Sequence, residues 1–166
     1  MLRIVKILMV LTVASWGFVG AFYNVLDWSG TTGSVAAATS MSTFEGGAES
    51  WQATVNPAVV WAGAVFIAGS KLVAGLLCLM GALKMWGARK EAAATFMASK
   101  ELALVGCAIA VIMLFGGFIV IAESWFELWR SDAMRGPVLD SAFRYAGMIT
   151  LIAIFVGMKE DERPAA

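Results

Sequence analysis

LALVGCAIAVIMLFGGFIVIA, the stretch from Leu102 to Ala122, holds no charged residue. A bilayer core of roughly 30 Å is crossed by about 20 apolar helical residues, so this run reads as a membrane span. Ile7 to Leu26 is equally free of charge. Asn56-Pro57 supplies an N-cap and a first helical residue, and the apolar pattern behind it reaches about Leu83, interrupted only by Lys71. Ser141 to Met158 carries Arg144 near its start, a side chain long enough to snorkel outward, with Asp140 where an N-cap belongs. The fold class is therefore all-α: a polytopic membrane protein, a single membrane domain over residues 1–166 built as a four-transmembrane-helix bundle with a short amphipathic interfacial segment. The spans are expected at about 5–26, 57–83, 102–123 and 141–158, with outer loops 27–56 and 124–140 and an inner loop 84–101.

Composition points the same way. The 166 residues are 60% hydrophobic and 14% charged, with a mean hydropathy of +0.81, whereas a soluble domain is about half apolar and about a quarter charged. Twelve basic residues balance twelve acidic ones, so no basic surface for nucleic acid is implied. Histidine is absent, which removes histidine-ligated haem or zinc and triads with an imidazole base.

The charges set an orientation. With the N-terminus inside, the inner pieces hold Arg3, Lys6, Lys84, Arg89, Lys90, Lys100, Lys159 and Arg163, and the outer pieces only Arg130, Arg135 and Arg144. That asymmetry follows the positive-inside rule and places both termini in the cytoplasm. Arg3 and Lys6 also precede a run ending Val19-Gly20-Ala21, which has the look of a signal-peptidase site. The run is long for a signal peptide's apolar region, so a retained first helix is expected.

Among the connections, Ser34 to Thr43 reads as a short helix at the interface, bracketed by the belt residues Trp28 and Trp51. The inner loop is expected to extend its neighbouring helices, and the tail from Lys159 to Ala166 reads as polar and frayed. Glu123-Ser-Trp-Phe-Glu-Leu-Trp-Arg-Ser131 reads as a helix end that leaves the membrane, with Trp125 and Trp129 on one face and Glu123, Glu127 and Arg130 on another. Gly136-Pro137 is expected to break it before the last span.

That run, followed by Ala142-Phe143-Arg144, resembles a bacterial family of predicted small integral membrane proteins carrying a domain of unknown function. Met41-Ser-Thr-Phe44 and Leu77-Cys-Leu-Met-Gly-Ala82 resemble its other motifs, and the Trp-Phe-x-x-Trp-x-Ser element of Trp125, Phe126 and Trp129 is the most specific part. Two departures stand out: Lys71 lies where such proteins usually look acidic, and Ser42 replaces the aspartate of their Met-Asp-Thr pattern. The resemblance covers most of the chain. It implies four helices and a multi-pass place in the bacterial cytoplasmic (inner) membrane, and no activity.

Lys71 is the residue most suggestive of function. It lies roughly 20 Å from either end of its helix at 1.5 Å per residue. Ionisable groups inside a membrane are costly and face protein or water. Its helical face carries Ala64, Ala68, Ala74, Gly75, Cys78 and Ala82, opposite Val65, Phe66, Val73, Leu76, Leu77 and Met80, so another helix can approach on the lysine side. An ion or proton pathway and a structural pairing within the bundle or with a partner subunit are both open. Glu123 and Arg144, ending and beginning consecutive spans, are placed for an anchoring ion pair. Cys78 and Cys107 stand at similar depth and read as small buried residues. Gly17 with Ala21, Gly106 with Ala110 and Ala153 with Gly157 have the small-x-x-x-small spacing of close helix contacts, and Gly116-Gly117 permits a kink.

The expected function is a non-catalytic accessory or structural subunit that packs against a larger membrane complex. The alternative is a small ion or solute transporter or channel component using Lys71. A membrane enzyme ranks third. No catalytic, cofactor or metal residues are assigned. The partners expected are the lipid bilayer and either another membrane protein or further copies of this chain.

Overall fold

A computed structural model describes residues 1–160. The described chain is helical, without strands, and four of its helices are long and apolar enough to cross a membrane: Leu2–Leu26, Pro57–Lys90, Ala93–Trp125 and Asp132–Gly157. The ends of the bundle differ. One carries both Leu2 and Gly157 together with the short connection between the second and third spans (the terminal end). The other carries the segment 27–56 and the turn after Trp125 (the loop end).

The first span stops at Asp27, whose carboxylate accepts from Gly30 N at 2.9 Å and from Ser29 Oγ at 3.1 Å. That cap starts a second helix, Trp28–Thr39, six residues before the expected position and ends it four residues earlier. The second span opens as the sequence predicts: Asn56 Oδ1 accepts from Ala58 N at 2.9 Å and Pro57 takes the first helical position, where its missing N–H costs nothing. The connection at the terminal end does continue its neighbours, as a 3₁₀ turn over Ala88–Lys90 and a helix over Ala93–Ser99.

The fourth span departs from expectation. Its helix starts at Asp132, capped by Ser131 Oγ accepting from Met134 N at 3.3 Å. Asp140 is helical, at φ −63° and ψ −34°, and caps nothing. Gly136-Pro137 does not break the chain, because Arg135–Asp140 winds as a wider π-helix. An α-helical proline clashes with the carbonyl four residues back, and the wider turn gives the ring room. Ile112–Trp125 is wound in the same way around Gly116-Gly117, so the glycine pair widens the helix.

The spans pack in sequence around the bundle through small residues. A Cβ on Gly17 would lie 2.6 Å from the carbonyl oxygen of Lys71 and 2.9 Å from Gly75 Cα. One on Gly106 would lie 2.7 Å from Cys78 Sγ and 3.0 Å from the Ala74 carbonyl oxygen. Lipid is as apolar as leucine, so such close backbone contact, rather than exclusion from water, holds membrane helices together. The small-residue face of the second span is accordingly buried: Ala64, Ala68, Ala74, Gly75, Cys78 and Ala82. Val65, Val73, Leu76 and Met80 point outward, while Phe66, though partly exposed, turns its ring toward Gly117 of the third span. The main core, with Val10, Val13, Met85, Phe96, Cys107 and Met113, lies toward the terminal end. A smaller one, Ala38, Leu128 and Leu139, closes the loop end.

Candidate functional site

Between these cores the spans part around a cavity of about 960 Å³. Its walls are Trp16 and Gly20 of the first span, Phe66 and Ile67 of the second, Leu114, Gly117 and Phe118 of the third, and Ala142 and Tyr145 of the fourth. Phe126, Leu128, Pro137, Val138 and Ala38 cover it at the loop end. Both π-helical segments contribute to the lining, so the widened winding that the sequence did not announce helps shape the space.

Lys71 lines this cavity. Its Nζ donates to Asn24 Oδ1 at 2.7 Å. Asn24 Nδ2 in turn donates to Thr31 Oγ1 at 2.9 Å, and that hydroxyl donates to the Asn24 carbonyl oxygen at 3.0 Å. The relay joins the first span, the helix behind it and the second span. Gly20 makes room for the lysine stem: a Cβ there would lie 3.0 Å from Lys71 Cδ. The partner of Lys71 is thus a neutral carboxamide. Sequence analysis did not pair Asn24 with Lys71, because nothing in the pattern specifies the rotation of one helix against the other.

The other candidate residues are dispersed. Among the described residues no ion pair joins Glu123 to Arg144. Arg144 folds back toward the loop end, Nε donating to the Asp140 carbonyl oxygen at 3.3 Å and Nη2 to Ser141 Oγ at 3.1 Å. Helical side chains lean toward the N-terminus, which carries this guanidinium toward the loop end, where backbone and hydroxyl oxygens of its own helix receive it. Trp125 and Trp129 do not share a helical face either. The helix ends at Trp125, Glu127 is left-handed at φ 49°, and Leu128–Arg130 is a 3₁₀ turn. The turn buries Phe126 and Leu128 over the cavity. It leaves Trp125 against Trp51, ring centres 5.3 Å apart, and Trp129 exposed. Arg130 pairs with Glu127 at 2.8 Å and reaches the Glu45 carbonyl oxygen at 3.1 Å, so this turn is tied to the segment before the second span.

A second site was missed altogether. At the terminal end Glu160 Oε1 accepts from Lys6 Nζ at 2.6 Å and Lys100 Nζ at 2.7 Å, while Oε2 lies 3.6 Å from Arg3 Nε. Both ammonium groups also reach the Met158 carbonyl oxygen, at 3.1 and 2.9 Å, and Arg3 Nη1 donates to the Glu91 carbonyl oxygen at 2.6 Å. The four side chains are 1–6% exposed. Burial pushes the Glu160 carboxyl up, but the hydrogen bonds and charges of Lys100 and Lys6 outweigh it and hold the group below the ordinary carboxylate range. The tail expected to be frayed from Lys159 is therefore pinned at Glu160, and the rest of that expectation, residues 161–166, lies outside the described residues. The signal available in sequence was only that Arg3, Lys6, Lys100 and Glu160 all flank spans at one end.

Cys78 and Cys107 face each other across the second and third spans, both buried, with Cys78 Sγ donating to the Ala103 carbonyl oxygen at 3.7 Å.

Residues 2–159 match the family described as "Predicted small integral membrane protein (DUF2165)", and the chain belongs to that family. No curated protein and no solved structure matches it.

Proposed function

We propose that this member of the family is a non-catalytic accessory protein of the membrane, whose working part is the cavity beside Lys71. It holds an amphipathic molecule between its spans and presents it to a membrane partner, another protein or a second copy of the chain. One observation carries the reading: a cavity of about 960 Å³, at the upper end of the about 300–1,000 Å³ typical of ligand sites, apolar along most of its walls and supplied with one orienting cation. On the terminal side of Lys71 the Gly17–Gly75 and Gly106–Cys78 contacts bring the spans together. That favours holding over a path for ions.

Native mass spectrometry after gentle solubilisation tests this. One small molecule should leave with each chain, and Gly117→Leu, which projects a side chain into the cavity, should carry none while keeping its helical content. A wild-type chain recovered empty, or a variant that retains the same guest, would overturn the proposal. The pathway alternative predicts instead that reconstituted vesicles show a flux which Lys71→Met abolishes.

The positive-inside asymmetry supports a topology in which the terminal end is cytoplasmic and the cavity lies in the outer half of the bilayer. A reporter fused after Ala166 should then read cytoplasmic. A periplasmic readout would reverse the assignment.

A further inference from the structure

We propose that the guest is a single-chain carboxylate, an alkyl acid whose head is bound by Lys71 and whose tail lies along the apolar walls. This rests on the binding role above and specifies its chemistry. Among the described residues the Lys71 ammonium has one hydrogen-bond partner, Asn24 Oδ1 at 2.7 Å, and no carboxylate within ion-pair distance. An ammonium carries three donors, so two remain for a ligand, and a carboxylate offers two oxygens to receive them. The ammonium is held in place from both sides, by the Asn24–Thr31 relay ahead of it and by Gly20 against its stem.

Electrostatics select an anion. An intramembrane cation paired only with a carboxamide is expensive, and a bound carboxylate would neutralise it through charge-assisted hydrogen bonds, about twice as strong as neutral ones. Among the described residues Asp27 is the one acid on the lining; it sits at the loop end of the first span, and its carboxylate accepts from Gly30 N and Ser29 Oγ. It disfavours an anion at that end and leaves Lys71 as the place where the head can rest. From Lys71 to Val59, the lining residue of the second span nearest the loop end, the helix rises about 18 Å. The tail therefore has an apolar wall along which to extend.

The test is the partition of radiolabelled palmitate, at mildly alkaline pH, into nanodiscs of zwitterionic lipid with and without the protein, set against the matching long-chain alcohol. Palmitate should saturate at one per chain and bind at least about tenfold more tightly than the alcohol, since a charged hydrogen bond is worth a factor of that order. Lys71→Met should remove the difference, and Lys71→Arg should retain part of it. If acid and alcohol bind equally well to the wild type, the carboxylate assignment falls while the binding role stands. If neither binds above the empty discs, both fall. The comparison of two ligands on the wild-type chain needs no variant to fold.

Discussion

Glu160→Ala is expected to destabilise the bundle by about 3–5 kcal/mol, the usual cost of removing one partner from a buried ion pair. Lys6 and Lys100 are 1% exposed at their side chains, and the single carboxylate between them receives a hydrogen bond from each. Without it two ammonium groups stay buried beside one another with the Met158 carbonyl oxygen as their shared acceptor. The chain then has to open its terminal end to water or keep two like charges in contact. Glu160→Gln should cost less, because the amide oxygen still accepts. Unfolding in mixed micelles with increasing denaturing detergent reads the difference, and an unchanged midpoint for Glu160→Ala would show that the cluster holds nothing together.

The same carboxylate sets a pH dependence. Its folded pKa lies below the ordinary carboxylate value, so its stabilisation is fully present above the unfolded pKa and disappears as pH falls through the folded one. Wild-type stability should decline in acid below the usual carboxylate range. Glu160→Gln should lose that part of the decline. Parallel acid profiles for the two proteins would contradict the linkage.

The second large effect is expected at the crossing of the first two long spans. Gly17→Ala adds one methyl group at a point where backbone lies on the other side: the Lys71 carbonyl oxygen at 2.6 Å and Gly75 N at 2.9 Å. No side chain there can swing away, so the helices must separate. Overpacking of this kind costs about 1–3 kcal/mol, and Gly17→Leu should exceed that or prevent assembly. Separation would also draw Lys71 from Asn24, so guest occupancy should fall with stability. Gly69→Ala is the control on the facing second span, since a Cβ there meets nothing within 4 Å. Equal effects at positions 17 and 69 would mean that the close crossing contributes nothing.

Different residues were legible to different depths. The small-residue face of the second span was readable because helical periodicity alone puts Ala64, Ala68, Ala74 and Cys78 on one side. The Asn56-Pro57 start was readable because capping is local chemistry. The Asp140 cap was misplaced for a related reason. Pro137 is a strong local stop signal, and only the wide winding of Arg135–Asp140, with Ser131 buried as the true cap, lets the helix run through it. The Trp125/Trp129 face failed because burial of Phe126 and Leu128 over the cavity outweighs the regular continuation of a helix.

Sequence by itself determined the solvent and the class of fold: long charge-free runs need lipid, and in lipid a backbone can satisfy its own hydrogen bonds as helices. It also determined which face of the second span is packed. Only the tertiary structure decided what Lys71 meets, that the spans part around a cavity beside it, and that Glu160 closes the terminal end against Lys6 and Lys100. The physical reason is range. Hydrophobic period and caps act within a few turns of one helix, whereas the pairing of residue 71 with 24, or of 160 with 6, depends on how whole helices rotate and slide against each other, and small residues permit many such arrangements before packing selects one.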